Sequence, residues 1–164
     1  MRSPFDILGV EARFDLDLAA LEKRYRALSR DVHPDRSRRA ALGESIDLNA
    51  AYRALRDDLT RARALLDARG DRTAGDGRET DPAFLAELMD LREALGEARA
   101  ARELARVEGL AAQVERSYDD ARRALAAALD AREHSKAEHH LGRMRYYRRF
   151  LDEVDVIREE SELG

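Results

Sequence analysis

Residues 17–35, DLAALEKRYRALSRDVHPD, decide how the chain folds. Leu18, Leu21, Tyr25, Leu28 and Val32 recur at spacings of 3, 4, 3 and 4, which is one stripe of an α-helix. Asp17 is placed to cap its start, with Leu16 and Leu21 positioned as a hydrophobic staple. Pro34 sets the end. Its ring would clash with the carbonyl of Arg30 and it pushes His33 out of the α region, so His33, Pro34 and Asp35 are presented together at a helix terminus. At 100° per residue Lys23, Arg26 and Arg30 fall within about 60° of one another, opposite the apolar stripe. Arg24 adds a fourth charge, and Arg36, Arg38 and Arg39 continue the basic run. The residues alone admit two readings of this surface. It is a solvated charged face whose His33 caps the last carbonyls, or, beside a rigid polar turn, a docking surface for an acidic partner.

On the N-terminal side, Phe5-Asp6-Ile7-Leu8-Gly9-Val10 reads as a helical turn stopped by Gly9, supplying apolar plugs for the helix that follows. On the C-terminal side a second helix begins between Ser37 and Ser45, its start left open by Gly43 and two candidate caps. Leu48, Ala51, Tyr52, Leu55 and Leu59 face the first stripe, so the two helices form an antiparallel hairpin held by Tyr25, Leu28, Tyr52 and Leu55. Thr60 to Arg69 carries Ala62, Leu65 and Leu66 and stops at Gly70. The stretch GDRTAGDGRET, residues 70–80, holds three glycines and reads as a linker. The expected organisation is therefore all-α, with a first domain over 1–70, a linker over 71–80 and a three-helix bundle over 81–164.

Asp81-Pro82 opens the first bundle helix, Asp as the cap and Pro in the first turn. Phe84, Leu88, Leu91 and Leu95 share one face and form its core stripe, whereas Leu85 and Met89 sit about 100° away beside Arg92. That second stripe either meets the third helix or is left for a partner. A turn is expected near Gly96 to Ala101. Leu104, Val107, Ala111, Val114, Tyr118, Ala121, Leu125 and Ala128 then alternate by 3 and 4 as an antiparallel seam. After a break over Asp130 to His134, Ser135-Lys136-Ala137-Glu138 reads as a capping box opening the last helix. Its expected stripe is Leu141, Met144, Tyr147, Leu151 and Val154, with Tyr146 and Phe150 exposed or half-buried on another face.

Composition narrows the function. The chain has 164 residues, 39% of them charged, and no cysteine, which excludes disulfides and thiolate-ligated metal or iron–sulfur sites on this chain. A net charge of −4 argues against a nucleic-acid partner. No apolar run reaches membrane-spanning length and the first residues lack a signal peptide's apolar core, so a cytoplasmic protein without a membrane partner is expected. His134, Glu138, His139 and His140 lack a metal-binding pattern such as HExxH, and His33 and Asp35 have no accompanying nucleophile. No phosphate-binding loop is present. The expectation is a protein that is not an enzyme, takes no cofactor or metal and exists as a monomer.

An amphipathic helix with a basic outer face, the tripeptide His33-Pro34-Asp35 and a second helix carrying LNAAYRAL (48–55) resemble a J domain, the module by which co-chaperones stimulate the ATPase of a DnaK-type partner. RARALL (61–66) resembles the end of the J domain in the HscB family of iron–sulfur cluster assembly, and FLAELMDLREAL (84–95) resembles the start of that family's C-terminal domain. The resemblance implies that His33, Pro34, Asp35, Lys23, Arg24, Arg26 and Arg30 engage a DnaK/HscA-type chaperone. It also implies that Leu85, Ala86, Met89, Asp90, Arg92, Glu93, Gly96 and an aromatic at Tyr146 or Tyr147 hold an IscU-like scaffold protein. Ala86 and Gly96 depart from the Met-like and acidic residues usual there. The alternatives are a J protein serving another client and a non-enzymatic helical adaptor.

Overall fold

The structure, a computed structural model, describes residues 2–31, 38–70 and 81–163, with the side chains of 31, 38–41 and 163 outside the description. His33, Pro34 and Asp35, with Val32, Arg36 and the linker 71–80, also lie outside the described residues. Every element described is helical, and the helices fall into two compact units, residues 1–72 and 73–164.

In the first unit α1 (Pro4–Leu8) is fixed at both ends by its own sequence. Ser3 and Asp6 form a reciprocal capping box, and Gly9 closes the helix in the left-handed region at φ 63°. Its two inward residues, Phe5 and Leu8, are buried. The next helix, α2 (Leu18–Asp31), begins as expected, with Asp17 Oδ1 accepting from the amides of Ala19 and Ala20. Leu18 is exposed although it belongs to the predicted stripe, because the first residue of a helix overhangs the neighbour it would pack on. α3 (Arg38–Arg56) packs on α1 and α2, with Leu48, Ala51 and Leu55 buried and Tyr52 stacked on Tyr25 at 4.3 Å between ring centroids. The helix expected to continue to Leu59 ends at Arg56 instead. Asp57 accepts from the amides of Leu59 and Thr60 and starts α4 (Asp58–Ala68), so Leu59 belongs to α4.

The junction between α3 and α4 contains the residue on which this unit most depends. Arg61 is 1% exposed. Its Nε donates to the Phe14 carbonyl at 2.7 Å, its Nη1 to the carbonyls of Leu55 (2.7 Å) and Arg56 (3.4 Å), and its Nη2 to Asp58. Thr60 Oγ1 donates to the Ala54 carbonyl at 2.8 Å. The last carbonyls of a helix have no partner within it. Here the first turn of α4 supplies those partners with side chains, and Arg61 also ties down the segment before α2.

In the second unit α5 (Pro82–Ala100), α6 (Leu104–Asp130) and α7 (His134–Leu163) form the expected antiparallel bundle. Phe84, Leu88, Leu91 and Leu95 are buried, as is the α6 seam from Val107 to Ala128 apart from its first member. That member, Leu104, opens α6 and is exposed. The first turn lies later than expected, because α5 runs through Gly96 to Ala100. One helical glycine costs about 1 kcal/mol, too little to end a helix with Leu95 buried before it and Ala98 buried after it. α7 starts at His134, so Ser135 is inside its first turn rather than capping it. Phe150, expected on an open face, is 0% exposed, and Leu151 is half-buried. The buried line rotates along α7 from Leu141 through Tyr147 to Phe150, Val154 and Ile157. Phe150 is about 180° from Leu141 yet only about 40° from Val154.

Both bundle turns use the same three residues, Ala101-Arg102-Glu103 and Ala131-Arg132-Glu133. In each the arginine takes a left-handed conformation, φ 57° and φ 55°. The following glutamate amide reaches back to the carbonyl five residues earlier, Glu103 to Ala98 at 2.9 Å and Glu133 to Ala128 at 2.8 Å. This closure favours glycine where the arginine sits. Arg102→Gly and Arg132→Gly are each expected to raise unfolding stability by about 0.5–1 kcal/mol, read from urea denaturation followed by circular dichroism.

Candidate functional site

On the first unit Lys23, Arg26 and Arg30 lie on the outer face of α2. With Ala19 and Glu22 they line a shallow groove of about 280 Å³. Arg26 pairs with Glu22 one turn earlier, and Arg30 Nε donates to the Arg26 carbonyl at 3.3 Å, which keeps both arginines against the helix. Arg24 stands apart from this group. It sits on the side of α2 that faces α1, and its Nε donates to the Leu8 carbonyl at 3.1 Å. A Cβ at Gly9 would lie 3.0 Å from its Nη2. Arg24 thus braces α1 against α2, whereas the three other cations form an open basic ridge.

On the second unit the face of α5 opposite its core is open. Met89 is 72% exposed, Leu85 is half-buried, and Ala86, Asp90, Arg92, Glu93 and Gly96 are exposed around them. Leu85 and Met89 share a face with Arg92 and Gly96, within about 60° of arc. A Cβ added at Gly96 would meet no atom within 4 Å. The exposure of Met89 excludes a place for it in the bundle core, and an apolar centre ringed by charge is the composition of a protein interface.

The start of α5 is fixed to α7 by a cluster around Phe84. Asp81 caps α5 through the Ala83 amide at 3.0 Å and accepts from Arg143 Nη2 at 2.9 Å. The Arg143 guanidinium lies 4.6 Å from the Phe84 ring centroid, and Tyr147 and Tyr146 meet that ring edge-on at 5.5 and 6.0 Å. Tyr147 is buried while Tyr146 is half-exposed, which puts Tyr146 at the surface, one residue along from Leu85 through Phe84.

Residues 3–64 match the model of the DnaJ domain, and residues 80–155 match that of the HSCB C-terminal oligomerisation domain. A co-chaperone protein HscB homolog of Burkholderia multivorans is 34% identical over 98% of this chain and 96% of its own length. The chain belongs to the HscB co-chaperone family. A second member, from Bordetella petrii, is 46% identical over 58% of this chain, a match spanning 61% of that relative. Chaperone HscB from Vibrio cholerae has the same fold with a TM-score of 0.84 at 28% identity, covering 97% of this chain and 99% of that one. Human co-chaperone protein HscB gives 0.85 at 25% identity, covering 95% and 82%. The first unit is thus a J domain and the second is the three-helix C-terminal domain of the family.

Within that C-terminal domain, Tyr147 is the titratable group most changed by folding around Phe84. Burial, reinforced by the charge of Glu87, pushes its hydroxyl above the ordinary tyrosine value. A raised folded-state value means that the unfolded chain ionises first. The contribution of Tyr147 is fully present below about pH 10 and is lost as pH rises beyond it. Urea denaturation between pH 8 and 11 is expected to show a decline above about pH 10 that is shallower in Tyr147→Phe.

Proposed function

We propose that this chain is a non-enzymatic co-chaperone that delivers an IscU-like iron–sulfur scaffold protein to a DnaK/HscA-type chaperone and stimulates that chaperone's ATPase. One observation carries the reading. A J-type hairpin with an open basic ridge and a bundle with Met89 left in solvent occur in a single chain of the HscB family. The ridge of Lys23, Arg26 and Arg30, with His33, Pro34 and Asp35 at the end of the same helix sequence, engages the chaperone. Arg24 supports that ridge through its bond to α1. Leu85, Ala86, Met89, Asp90, Arg92, Glu93, Gly96 and Tyr146 form the scaffold-binding face. Joining both contacts in one chain raises the client's concentration at the ATPase without any new contact between client and chaperone.

Single-turnover ATP hydrolysis by a DnaK-type chaperone tests the reading. The chain is expected to accelerate hydrolysis, and Asp35→Asn or His33→Gln to remove the acceleration while the helical circular dichroism spectrum is unchanged. Docking is expected to weaken with salt, because the ridge acts through exposed charge screened over about 8 Å at physiological ionic strength. Equal rates for parent and variants would refute the assignment. Acceleration without binding of an iron–sulfur scaffold would favour a J protein for another client.

A further inference from the structure

Two large aliphatic side chains of the J domain are left in water one helical turn apart. Leu42 and Ile46 on α3 are 62% and 57% exposed. Their place in the hairpin follows from the contacts of both helices. On α2 the side bearing Arg24 faces α1, because Arg24 bonds to the Leu8 carbonyl. The side bearing Tyr25 faces α3, where its ring stacks on Tyr52 and its hydroxyl donates to Asn49. Continuing round α2 in that sense reaches Ser29 and then Arg26, the near edge of the basic ridge. On α3 the arc of Ala51 and Leu55 is buried and that of Tyr52 and Asn49 faces α2. Continuing round α3 reaches Leu42, Arg53 and Ile46. The aliphatic pair and the basic ridge therefore flank one groove, on the side of the hairpin away from α1.

We infer that Leu42 and Ile46 are the apolar half of the chaperone-docking surface, and that they take a partner face on which aliphatic side chains stand beside acidic ones. This inference rests on the chaperone-docking reading above. Charge complementarity selects the partner. Lys23, Arg26 and Arg30 across the groove demand carboxylates, and a partner with carboxylates alone would leave the pair in water. Exposed aliphatic pairs next to a charged rim are the composition of an interface centre, and they supply contact that salt does not screen. The two halves therefore have separable signatures, the ridge governing the salt dependence and the pair governing affinity at every salt concentration.

The experiment titrates the full chain into a DnaK-type chaperone and reads ATPase stimulation at several salt concentrations. Leu42→Gln with Ile46→Gln is expected to raise the half-maximal concentration about tenfold, leaving the maximal rate and the salt slope unchanged. Lys23→Ala with Arg26→Ala is expected to flatten the salt slope. Leu42→Met with Ile46→Met, which keeps the apolar area, is expected to behave as the parent. Thermal unfolding is recorded for each, and the single glutamine variants, each expected to give about a threefold shift, replace the pair if the pair melts early. A glutamine pair that stimulates at the parent's concentration overturns this inference and leaves the docking reading standing. A parent chain that fails to stimulate at all removes both.

Discussion

Arg61→Met is expected to destabilise the J domain by about 3–5 kcal/mol, the cost of removing one partner from a buried, hydrogen-bonded ionic group. The substitution keeps an unbranched side chain of moderate length in the site, so little of the loss comes from packing. It leaves the carbonyls of Phe14, Leu55 and Arg56 and the carboxylate of Asp58 without the guanidinium that all four now share. Each buried acceptor left without a donor costs on the order of 1–3 kcal/mol. A unit of about 70 residues rarely holds more than about 3–5 kcal/mol in total. The variant is therefore expected to lose most J-domain helix signal at 25 °C and to lose chaperone stimulation with it. Arg61→Lys is expected to recover only part of the loss, because an ammonium cannot reach acceptors on opposite sides of a planar fork. Denaturation of the variant within 1 kcal/mol of the parent would contradict the role given to Arg61.

The second large effect is expected in binding rather than folding. Leu85→Ala with Met89→Ala is expected to weaken scaffold affinity by about 2–4 kcal/mol, roughly 30-fold to 1,000-fold, if each truncation at the contact costs about 1–2 kcal/mol. The same pair is expected to cost less stability than a core truncation, because Met89 is 72% exposed and Leu85 only half-buried before any partner arrives. Leu88→Ala or Leu95→Ala, one face away and buried, are the contrast. Each is expected to cost about 2–5 kcal/mol of stability. Scaffold titration and thermal unfolding of both sets check the separation, and a double variant that melts early while binding normally would reverse the assignment of the two faces.

Local rules made much of the fold legible in the sequence. Asp17, Asp81 with Pro82, Gly9 and Gly70 act within a few residues of where they stand, and the structure has helix ends at each. Periodicity placed the α5 core and nearly all of the α6 seam. It failed where packing is set by a distant element. Phe150 was measured against the face defined by Leu141, but α7 turns its buried line as it passes between two neighbours. Leu18 and Leu104 obey the period and remain exposed at the first residues of their helices. Arg61 was missed as a buried residue because arginine reads as surface. A signal was present, since it lies four residues before Leu65, within about 40° of it. For the functional faces, the period separated Leu85 and Met89 from the core but left both readings open, and the exposure of Met89, which no period reveals, takes that residue out of the bundle core. The period also grouped Lys23, Arg26 and Arg30, but the carbonyl that Arg24 bonds belongs to another helix, beyond the reach of any period within α2.

The bond from Arg61 to the Phe14 carbonyl joins residues 47 apart in the chain. It therefore sets a waiting time during synthesis. At about 5–20 residues per second, roughly 2–9 s pass between the making of Phe14 and the making of its partner. Through that interval the α1–α2 region lacks the group that closes its core, and Phe5, Leu8 and Phe14 have no complete site to enter. The bundle is built differently, each helix packing on the next across a three-residue turn, a pattern of near contacts that closes quickly once its helices exist. The J domain, first to be made, is thus slow to complete, and a ribosome pausing before residue 61 would hold it open to proteases and to aggregation.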